Sequence, residues 1–314
     1  GPPAARVTVD VHHFPDTARL ARALARALGV GTRSVGLHRF PDGDSRIRIP
    51  ELRCGSVIIF RSLDRPNDKL VELLLCVRHL RNCGIATIVL AAPYLCYMRQ
   101  DAAFTAGEVV SQRWIGSWLA TLVDGLVTVD PHLHRVHHLR DVVPGSCCET
   151  VSAAPLAGEL ARQSFSDPVL IGPDEESAQW LQQAACGSPP LDQLVARKTR
   201  SGDFQVRLQL PEFRLRNRDV VLIDDIASTG ATLVECARLA RDRGARKVAA
   251  IVTHALFDDG AIPVGRSQLL SDIWSTDSVP HPSNRIHLAV PVAAACSSVL
   301  EAIHRKRRAT ASPC

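Results

Sequence analysis

The sequence predicts an α/β fold made of two doubly wound lobes, each with a mostly parallel sheet. Three observations lead to this prediction: the length of the chain, the apolar character of its strands, and the helical segments between them. At 314 residues the chain is longer than a single core usually supports, so two domains are expected. Continuous apolar strands that alternate with helices are typical of parallel sheets covered on both faces.

Short runs rich in valine and isoleucine mark the predicted strands. They lie at 6–9, 57–60, 85–90, 126–129, 168–171, 220–223 and 248–252. Longer segments between them carry apolar residues at helical spacing and have the length of crossover helices. These segments are 17–28, 69–81, 109–122, 177–185 and 230–243.

The segment 144–155 favours a boundary between the two lobes, because it contains Pro144, Gly145 and Pro155 among small residues. We therefore expect an N-terminal lobe over residues 1–148 and a C-terminal lobe over residues 149–287. A last helix at about 288–308 can pack back on the first lobe.

The composition argues against a membrane protein and against a nucleic-acid-binding protein. No apolar run approaches the roughly 20 residues that span a bilayer. The formal net charge of +5 is mild for a nucleic-acid binder but suits an enzyme of phosphorylated substrates. The basic run 305–308 is interpreted as a solvated helix end, with polyanion binding as the alternative. The chain begins without the pattern of a secretion signal, so a cytoplasmic location is expected.

The ten cysteines lack the paired CxxC spacing of a zinc site. Most of them lie in apolar or small-residue stretches, and we expect buried thiols in a reducing compartment. They are Cys54, Cys76, Cys83, Cys96, Cys147, Cys148, Cys186, Cys236, Cys296 and Cys314.

The segment 220–233 carries the most chemical information. Its apolar strand ends in Asp224 and Asp225, and a hydroxyl-rich turn then leads into a helix. Ligands of open α/β sheets bind beyond the carboxyl ends of the strands, so both carboxylates should face a cleft, where they can bind a sugar's vicinal hydroxyls. The turn offers backbone N–H groups, hydroxyls and a helix N-terminus to a phosphate monoester. Its residues are Ser228, Thr229, Gly230, Ala231 and Thr232.

A simpler interpretation is that Asp225 and Ser228 only cap the helix, which would stabilise it by about 1 kcal/mol. A cap needs one such residue, whereas this segment offers several, so a binding role is favoured. The segment resembles the phosphoribosyl-diphosphate motif of type I phosphoribosyltransferases and of ribose-phosphate diphosphokinases. This resemblance implies lobes of the type I phosphoribosyltransferase kind, and alone it does not separate the two families.

A second segment, 40–51, resembles the diphosphokinase loop in which an aromatic ring and acids hold the adenine of ATP. Phe40 offers a ring for stacking, while Asp42 and Asp44, on either side of Gly43, offer carboxylates to an exocyclic amine. Asp44 stands where the family more usually has glutamate. Taken alone, these residues would be an ordinary surface turn.

A third segment, 92–101, follows a predicted buried strand and resembles the family's PYxxYxRQD pattern. The resemblance implies that Arg99, Gln100 and Asp101 contact the nucleotide and its phosphates. The alternative is that Arg99 only forms a surface ion pair, for example with Asp101.

The resemblance also implies a magnesium site, with His132 after one strand and Asp174 after another. Magnesium prefers oxygen ligands and keeps several waters, so the contact of His132 would be partly through water. The nearby His134, His137 and His138 leave zinc as an alternative, although no cysteine pair lies near them.

Glu175 and Glu176 replace the small residues that usually follow Asp174 in the family. They add negative charge near the expected sugar phosphate. Alternatively, both lie in the first turn of a helix and favour its dipole.

The segment 197–200 matches the catalytic Lys-x-Arg pattern of the family, which assigns Lys198 and Arg200 as catalytic residues, with Arg200 also binding ribose 5-phosphate. The alternative is a basic surface turn. The polar segment 200–219 that follows could form a mobile hairpin over the cleft.

These motifs follow the family's order from Phe40 to Thr232, and the similarity covers most of the chain. Ribose-phosphate diphosphokinases transfer the diphosphoryl group of ATP to the 1-hydroxyl of ribose 5-phosphate. The resemblance thus implies ATP and ribose 5-phosphate as partners, Mg²⁺ as cofactor, and a homo-oligomer, either a dimer or a hexamer. Ser228 replaces an aspartate of many members and the C-terminus differs, so control by phosphate and ADP is not expected.

Other functions stay open on the sequence. A nucleobase phosphoribosyltransferase would use Asp224–Thr232 but would leave the segments of Phe40, Arg99 and His132 without a purpose. A regulatory partner without catalysis would not need Lys198. A related pentose phosphate could also replace ribose 5-phosphate as the acceptor.

Overall fold

Two compact units make up the chain. The computed structural model describes residues 8–201, 205–258, 260–262 and 269–311, with all side chains except those of 198–201, 205–207 and 311. Unit 1 comprises Gly1–Val151 and Leu288–Cys314, and unit 2 comprises Ser152–His287. The chain thus leaves unit 1 after its last strand and returns to it for its last helix.

Sixteen strands and eight α-helices are formed by the described residues. The strands are β1 Val9–His13, β2 Gly31–Ser34, β3 Gly36–Arg39, β4 Ser45–Arg48, β5 Ser56–Phe60, β6 Thr87–Ala91, β7 Gly125–Val129, β8 Cys147–Val151, β9 Val169–Gly172, β10 Asp192–Val195, β11 Arg197–Ser201, β12 Gln205–Gln209, β13 Asp219–Ala227, β14 Lys247–Ala255, β15 Asp272–Thr276 and β16 Asn284–Ile286. The helices are α1 Ala18–Leu28, α2 Pro66–Asn82, α3 Ser111–Leu122, α4 Leu139–Val142, α5 Ala154–Ser164, α6 Ala178–Ala185, α7 Ala231–Asp242 and α8 Ala289–Ala311.

The sheet of unit 1 has the order β2-β1-β5-β6-β7-β8, and every neighbouring pair is parallel. Strand residues such as Val57, Ile59 and Leu90 point to one face, where α2 and α3 bury them in the main core. Helices α1 and α8 cover the other face, and α8 packs on β6, β7 and β8. The antiparallel pair β3–β4 forms a separate hairpin.

The sheet of unit 2 has the order β10-β9-β13-β14-β15-β16 and is also parallel throughout. Val220 and Leu222 pack with α7 on one face, whereas Val221 and Ile223 pack with α5 and α6 on the other. Strands buried on both faces need apolar residues at every position, which is why β13 and β14 are continuous apolar runs.

These two parallel sheets confirm the predicted fold class. The first strand lies at Val9–His13 instead of the predicted 6–9, and residues 1–7 are outside the described part of the chain. The segment 144–155 is not simply a linker, because it forms β8 and the start of α5. Pro155 fits there because the first turn of a helix needs no backbone donor at that position.

Nine of the cysteines lie in the described residues, and none of these nine forms a disulfide. Cys76, Cys96, Cys236 and Cys296 are buried as expected. Cys83 and Cys186 are exposed, so the expectation of a buried thiol is wrong for these two. Among the described helices, none has both the length and the apolar character to cross a bilayer.

Candidate active site

In unit 1 the hairpin β3–β4 carries the predicted adenine-binding loop. The Phe40 N–H donates to the Asp44 carbonyl at 2.8 Å, and the Gly43 N–H donates to the Phe40 carbonyl at 2.9 Å. Gly43 has φ +98°, a left-handed conformation that favours glycine. The Asp42 carboxylate accepts the Asp44 N–H at 3.2 Å. Phe40 is 40% exposed and so retains ring surface for a base to stack on.

A buried carboxylate, that of Glu72 on α2, holds this hairpin in place. Its Oε1 accepts from Arg39 Nε at 2.9 Å and from Ser45 Oγ at 2.9 Å, one residue on each strand of the hairpin. Its Oε2 accepts from Arg61, which directly follows β5 and stacks on Phe14. Burial alone would raise the pKa of Glu72, but the hydrogen bonds from Arg39, Arg61 and Ser45 outweigh it and leave that pKa below its ordinary value. The carboxylate is therefore charged and couples the loop to the sheet.

The predicted phosphate-binding residues lie in the loop after β6. Arg99 is exposed and Gln100 is half-buried. The Gln100 carbonyl accepts the N–H of Gln112 at 3.2 Å, and the Gln112 amide donates to the Met98 carbonyl at 3.0 Å. These contacts fix the backbone on either side of Arg99 and leave its guanidinium at the surface.

Asp101 joins this loop to the one that follows β7. Its Oδ1 accepts from Arg135 Nη1 at 2.6 Å, and its Oδ2 accepts the Arg135 N–H at 3.3 Å. The side chain of Asp101 is only 2% exposed. The alternative of an Arg99–Asp101 ion pair therefore gives way to an Arg135–Asp101 pair that holds two loops together.

His132, the predicted metal-associated residue of unit 1, lies in the same loop as Arg135. Its Nε2 is 2.5 Å from Nε2 of His134, and the two rings meet edge to face with centroids 4.2 Å apart. Both rings are half-buried. The two Nε2 atoms face each other at hydrogen-bond distance, and the tautomers of the rings decide which one donates.

In unit 2, Asp174 follows β9 and forms the turn before α6. Its Oδ1 accepts the Ser177 N–H at 3.2 Å, and Ser177 Oγ donates to the Asp174 carbonyl at 2.5 Å. A Cβ at Gly172 would lie 2.4 Å from Ser177 Oγ, so the turn requires glycine there. Glu175 and Glu176 are exposed and precede α6. The interpretation that they lie in the first helical turn is therefore wrong.

Asp224 and Asp225 lie near the end of β13, the neighbour of β9. Asp224 is half-buried and Asp225 is buried. Burial, together with the carboxylates of Asp225 and Asp174, raises the pKa of Asp224 well above its ordinary value. Three carboxylates that repel one another favour a bound cation or hydroxyl donors. Since their donors are all oxygen, they fit Mg²⁺.

The turn after β13 has the open geometry that an anion needs. Gly230 is the N-cap of α7 with φ +71°, and it makes no side-chain capping bond. A Cβ there would lie 2.5 Å from Ile262, so no larger residue fits. The N-cap is Gly230, so the interpretation that Asp225 and Ser228 cap the helix is wrong. The Ala231 N–H donates to Thr229 Oγ1 at 3.4 Å, and the first-turn N–H groups of a helix are a common site for an anion. Ser228, Thr229 and Ala231 are exposed around it, with Thr232 half-buried.

Lys198 and Arg200 lie on β11, which pairs in antiparallel fashion with β12. They are two positions apart on this strand, in register with Leu208 and Val206 of β12. Their side chains lie outside the described residues. The hairpin predicted at 200–219 in fact spans Arg197–Ser201 and Gln205–Gln209.

Sequence reasoning missed the residues that support these loops. Glu72, Arg61 and Arg135 resemble ordinary charged residues of a helix and two loops. The available signal was weak: Glu72 occupies a buried position of α2, next to Leu73. A charge on a buried helix face requires a partner, but the sequence does not identify which arginine supplies it.

Comparison with known proteins gives a consistent result over both units. Residues 11–122 match the model of the N-terminal domain of ribose phosphate pyrophosphokinase, and residues 152–295 match the phosphoribosyl transferase domain. The ribose-phosphate pyrophosphokinase of Methanopyrus kandleri is 36% identical over 286 residues, which cover 90% of this chain and 96% of that relative. That of Sulfurisphaera tokodaii is 32% identical over 84% of this chain and 90% of that relative.

A solved structure shares the fold. The crystal structure of phosphoribosylpyrophosphate synthetase from Mycobacterium smegmatis superposes with a TM-score of 0.78 and 21% sequence identity, covering 94% of this chain and 99% of that one. Together with the identity to the archaeal relatives over nearly their whole length, these matches show that the chain belongs to the ribose-phosphate pyrophosphokinase family, also called the ribose-phosphate diphosphokinases.

Proposed function

We propose that this protein transfers the diphosphoryl group of ATP to the 1-hydroxyl of ribose 5-phosphate, forming phosphoribosyl diphosphate and AMP. The observation that carries the proposal is membership of the family over both units. A nucleobase phosphoribosyltransferase is not favoured, because it gives no role to the N-terminal domain matched over residues 11–122.

We assign ATP to unit 1. Phe40 would stack on the adenine, and the carboxylates of Asp42 and Asp44 would accept its amine. Arg99, whose guanidinium is exposed in a fixed loop, would bind the phosphates, with Gln100 beside it. Asp101 would contribute by holding the loop through Arg135.

We assign ribose 5-phosphate to unit 2. The first-turn N–H groups of α7 and the hydroxyls of Ser228, Thr229 and Thr232 would bind the 5-phosphate. Asp224 and Asp225 would accept the 2- and 3-hydroxyls of the ribose. This places the sugar at the carboxyl end of β13, where ligands of parallel sheets bind.

Magnesium fits the oxygen donors of unit 2, Asp174, Asp224 and Asp225, as direct ligands or through water. In unit 1, His132 would contact the magnesium of the nucleotide through water. When bound, the cation neutralises phosphate charge and polarises the reacting phosphorus. In the transfer, the 1-hydroxyl oxygen bonds to the β-phosphorus, the bond from that phosphorus to the oxygen bridging the α-phosphate breaks, and AMP leaves with the bridging oxygen. The hydroxyl proton is released to solvent.

Lys198 and Arg200 are proposed to neutralise the charge that develops on the transferring group. The ammonium of lysine acts as a point charge and the guanidinium as a planar fork, so the two roles are not interchangeable. Charge stabilisation in the transition state is the main contribution that a protein makes to this class of reaction.

The decisive experiment measures AMP formed from ATP with ribose 5-phosphate and Mg²⁺ present. A panel of other pentose phosphates determines the acceptor. AMP release that depends on ribose 5-phosphate supports the proposal. Absence of AMP together with consumption of phosphoribosyl diphosphate by a nucleobase would replace it with the transferase reaction.

We further propose a homo-oligomer, a dimer or a hexamer, in the cytoplasm. Unit 1 exposes apolar side chains that association would bury, including Val71 (56%) on α2 and Trp114 (62%) on α3. The nine described cysteines form no disulfide, which fits a reducing compartment. Light scattering after size exclusion measures the molar mass of the oligomer. If the Trp114→Glu variant has the same oligomer mass as the wild type, Trp114 does not lie in the interface.

A further inference from the structure

The imidazole of His12 is buried without a hydrogen-bond partner. Its side chain is 0% exposed, and neither Nδ1 nor Nε2 has a partner. Burying a polar group without a hydrogen-bond partner is unfavourable, so such a group usually has a ligand or a structural reason. His12 is on β1, in register with Ile59 of β5 and Arg33 of β2.

Two further metal-ligating side chains lie beside this ring. Asp10 is two residues earlier on β1 and so faces the same side of the sheet, and Cys54 precedes β5. One ligand atom each from Asp10, His12 and Cys54 lies within 4.8 Å of the other two. Ligand atoms around tetrahedral zinc are about 3.5 Å apart. Movements of about 1 Å or less in these side chains would therefore bring the three ligand atoms to coordinating distances.

We propose that Asp10, His12 and Cys54 form a binding site for a thiophilic divalent transition metal of the Zn²⁺ class. The site is separate from the Mg²⁺ of the proposed reaction. One oxygen, one nitrogen and one sulfur donor match zinc and not magnesium, which prefers oxygen alone. The Cys54 thiol loses its proton to solvent on coordination, and water completes the fourth position.

The surroundings of the cluster support this assignment. Arg33 Nε donates to Asp10 Oδ2 at 2.7 Å, which orients the carboxylate and leaves Oδ1 for a metal. A Cβ at Gly31 would lie 2.6 Å from that Oδ1, so glycine gives the oxygen its space. Half-buried Cys54 gives access from solvent.

Metal binding to the full-length protein tests this site without an activity readout. Chelator-treated protein is titrated with Zn²⁺ by calorimetry in excess Mg²⁺, and with Co²⁺ by absorbance. We expect one tight Zn²⁺ per chain and a thiolate-to-cobalt charge-transfer band in the near ultraviolet.

Substitutions test whether the bound metal lies at Asp10, His12 and Cys54. Cys54→Ser should abolish the charge-transfer band and weaken Zn²⁺ binding at least tenfold, and Gly31→Ala, which crowds Asp10, should weaken it about tenfold. Cys83→Ser and Cys186→Ser remove exposed thiols outside the cluster and should change neither signal. Binding that is absent, lacks the thiolate band, or is unchanged in Cys54→Ser would overturn the proposal in favour of adventitious binding at other histidines.

Discussion

Single residues set the chemistry of each loop. Gly230 is one example, because its backbone is left-handed and an added Cβ would lie 2.5 Å from Ile262, which leaves no space for a side chain. The raised pKa of Asp224 is another, since it follows from burial and from the carboxylates of Asp225 and Asp174. Gly230 thus keeps the start of α7 free of a side chain, and the Asp224 site favours a bound cation or hydroxyl donors.

Replacement of Lys198 by alanine should lower kcat by about two to three orders of magnitude, the usual effect of removing a group that stabilises transition-state charge. Its position on a two-stranded hairpin makes a large loss of stability unexpected. Steady-state kinetics and thermal unfolding of the Lys198→Ala variant check both parts.

Arg197 gives the matched control, because it is the preceding residue on β11 and is exposed. Arg197→Ala should keep most of the turnover. Near-wild-type kcat in Lys198→Ala, or an equal loss in both variants, would remove Lys198 from its assigned role.

The sequence predicted the ligand-facing residues far better than their supports. Asp224, Asp225 and Gly230 stand in one continuous segment after an apolar strand, so local chemistry identifies them. Glu72 meets Arg39 and Arg61 only after folding, from positions 33 and 11 residues away. Such pairings depend on tertiary contacts that no local pattern encodes.

At the scale of elements, the carboxylate of Glu72 links helix α2 to the hairpin β3–β4. Glu72 joins them through Arg39 and Ser45, and it also neutralises Arg61, which is 1% exposed. The orientation of the proposed adenine-binding loop thus depends on a side chain that touches no substrate.

Substitution of Glu72 by glutamine should destabilise the protein by about 3–5 kcal/mol, because it removes the buried partner of the Arg61 charge and leaves the more exposed carboxylate of Asp16, 3.7 Å from Arg61 Nε. The KM for ATP should rise more than that for ribose 5-phosphate. Urea unfolding and kinetics measure the two effects.

The control is Asp68→Asn on the same helix. Asp68 is 68% exposed and lies 3.8 Å from Arg39, so its loss should cost about 0–1 kcal/mol. Equal effects of the two substitutions would contradict the role given to Glu72.

Acid should lower the free energy of unfolding, in part because it protonates the Glu72 carboxylate. Burial alone would raise the pKa values of Glu72 and Asp219, but hydrogen bonds, chiefly from Arg39 and from Arg246 respectively, leave them below the ordinary 4.5 and 3.8. As the pH falls, these two carboxylates are therefore protonated in the unfolded chain at a higher pH than in the folded protein. Stability is full above the ordinary values and is lost as the pH drops through the folded-state values.

Urea midpoints measured from pH 7 to about pH 3 should therefore fall steadily at the acid end for the wild type. The Glu72→Gln variant should show a shallower fall, because one of the linked protons is missing. An unchanged slope in that variant would assign the acid sensitivity to other groups.

Buried elements were easier to predict from the sequence than exposed ones. The continuous apolar segment of β5 identifies it at once. Strand β8 was missed because it lies at the edge of the sheet and carries exposed Glu149 and Thr150. Helix α5 was missed because alanines and Pro155 at its start resemble a linker, although a proline suits that place.

For the whole molecule, the main organising feature is the return of α8 to unit 1. Arg307 Nη1 donates to Thr87 Oγ1 at 2.7 Å and its Nη2 to Asp124 Oδ1 at 3.0 Å. Val299 packs over Gly125, where the helix approaches the backbone of β7. Helix α8 therefore completes one face of a sheet whose strands precede it by more than a hundred residues.

A Gly125→Ala substitution should destabilise unit 1 by about 1–3 kcal/mol, the usual cost of overpacking. The added Cβ would lie 2.4 Å from Val299 Cγ1. Gly55→Ala, which meets no atom within 4 Å, should change stability by less than about 0.5 kcal/mol. Denaturant unfolding of both variants compares them, and equal stability would mean that α8 accommodates the methyl group without cost.

The late position of α8 also determines the order of events during synthesis. A ribosome has made every strand of unit 1 by Val151, yet the helix that covers β6, β7 and β8 is translated only after all of unit 2. Until then, the part of one apolar face formed by β6, β7 and β8 is uncovered and open to chaperones or to aggregation. Unit 2 is contiguous in sequence and can finish folding first, so the N-terminal half of this polypeptide is the last to become native.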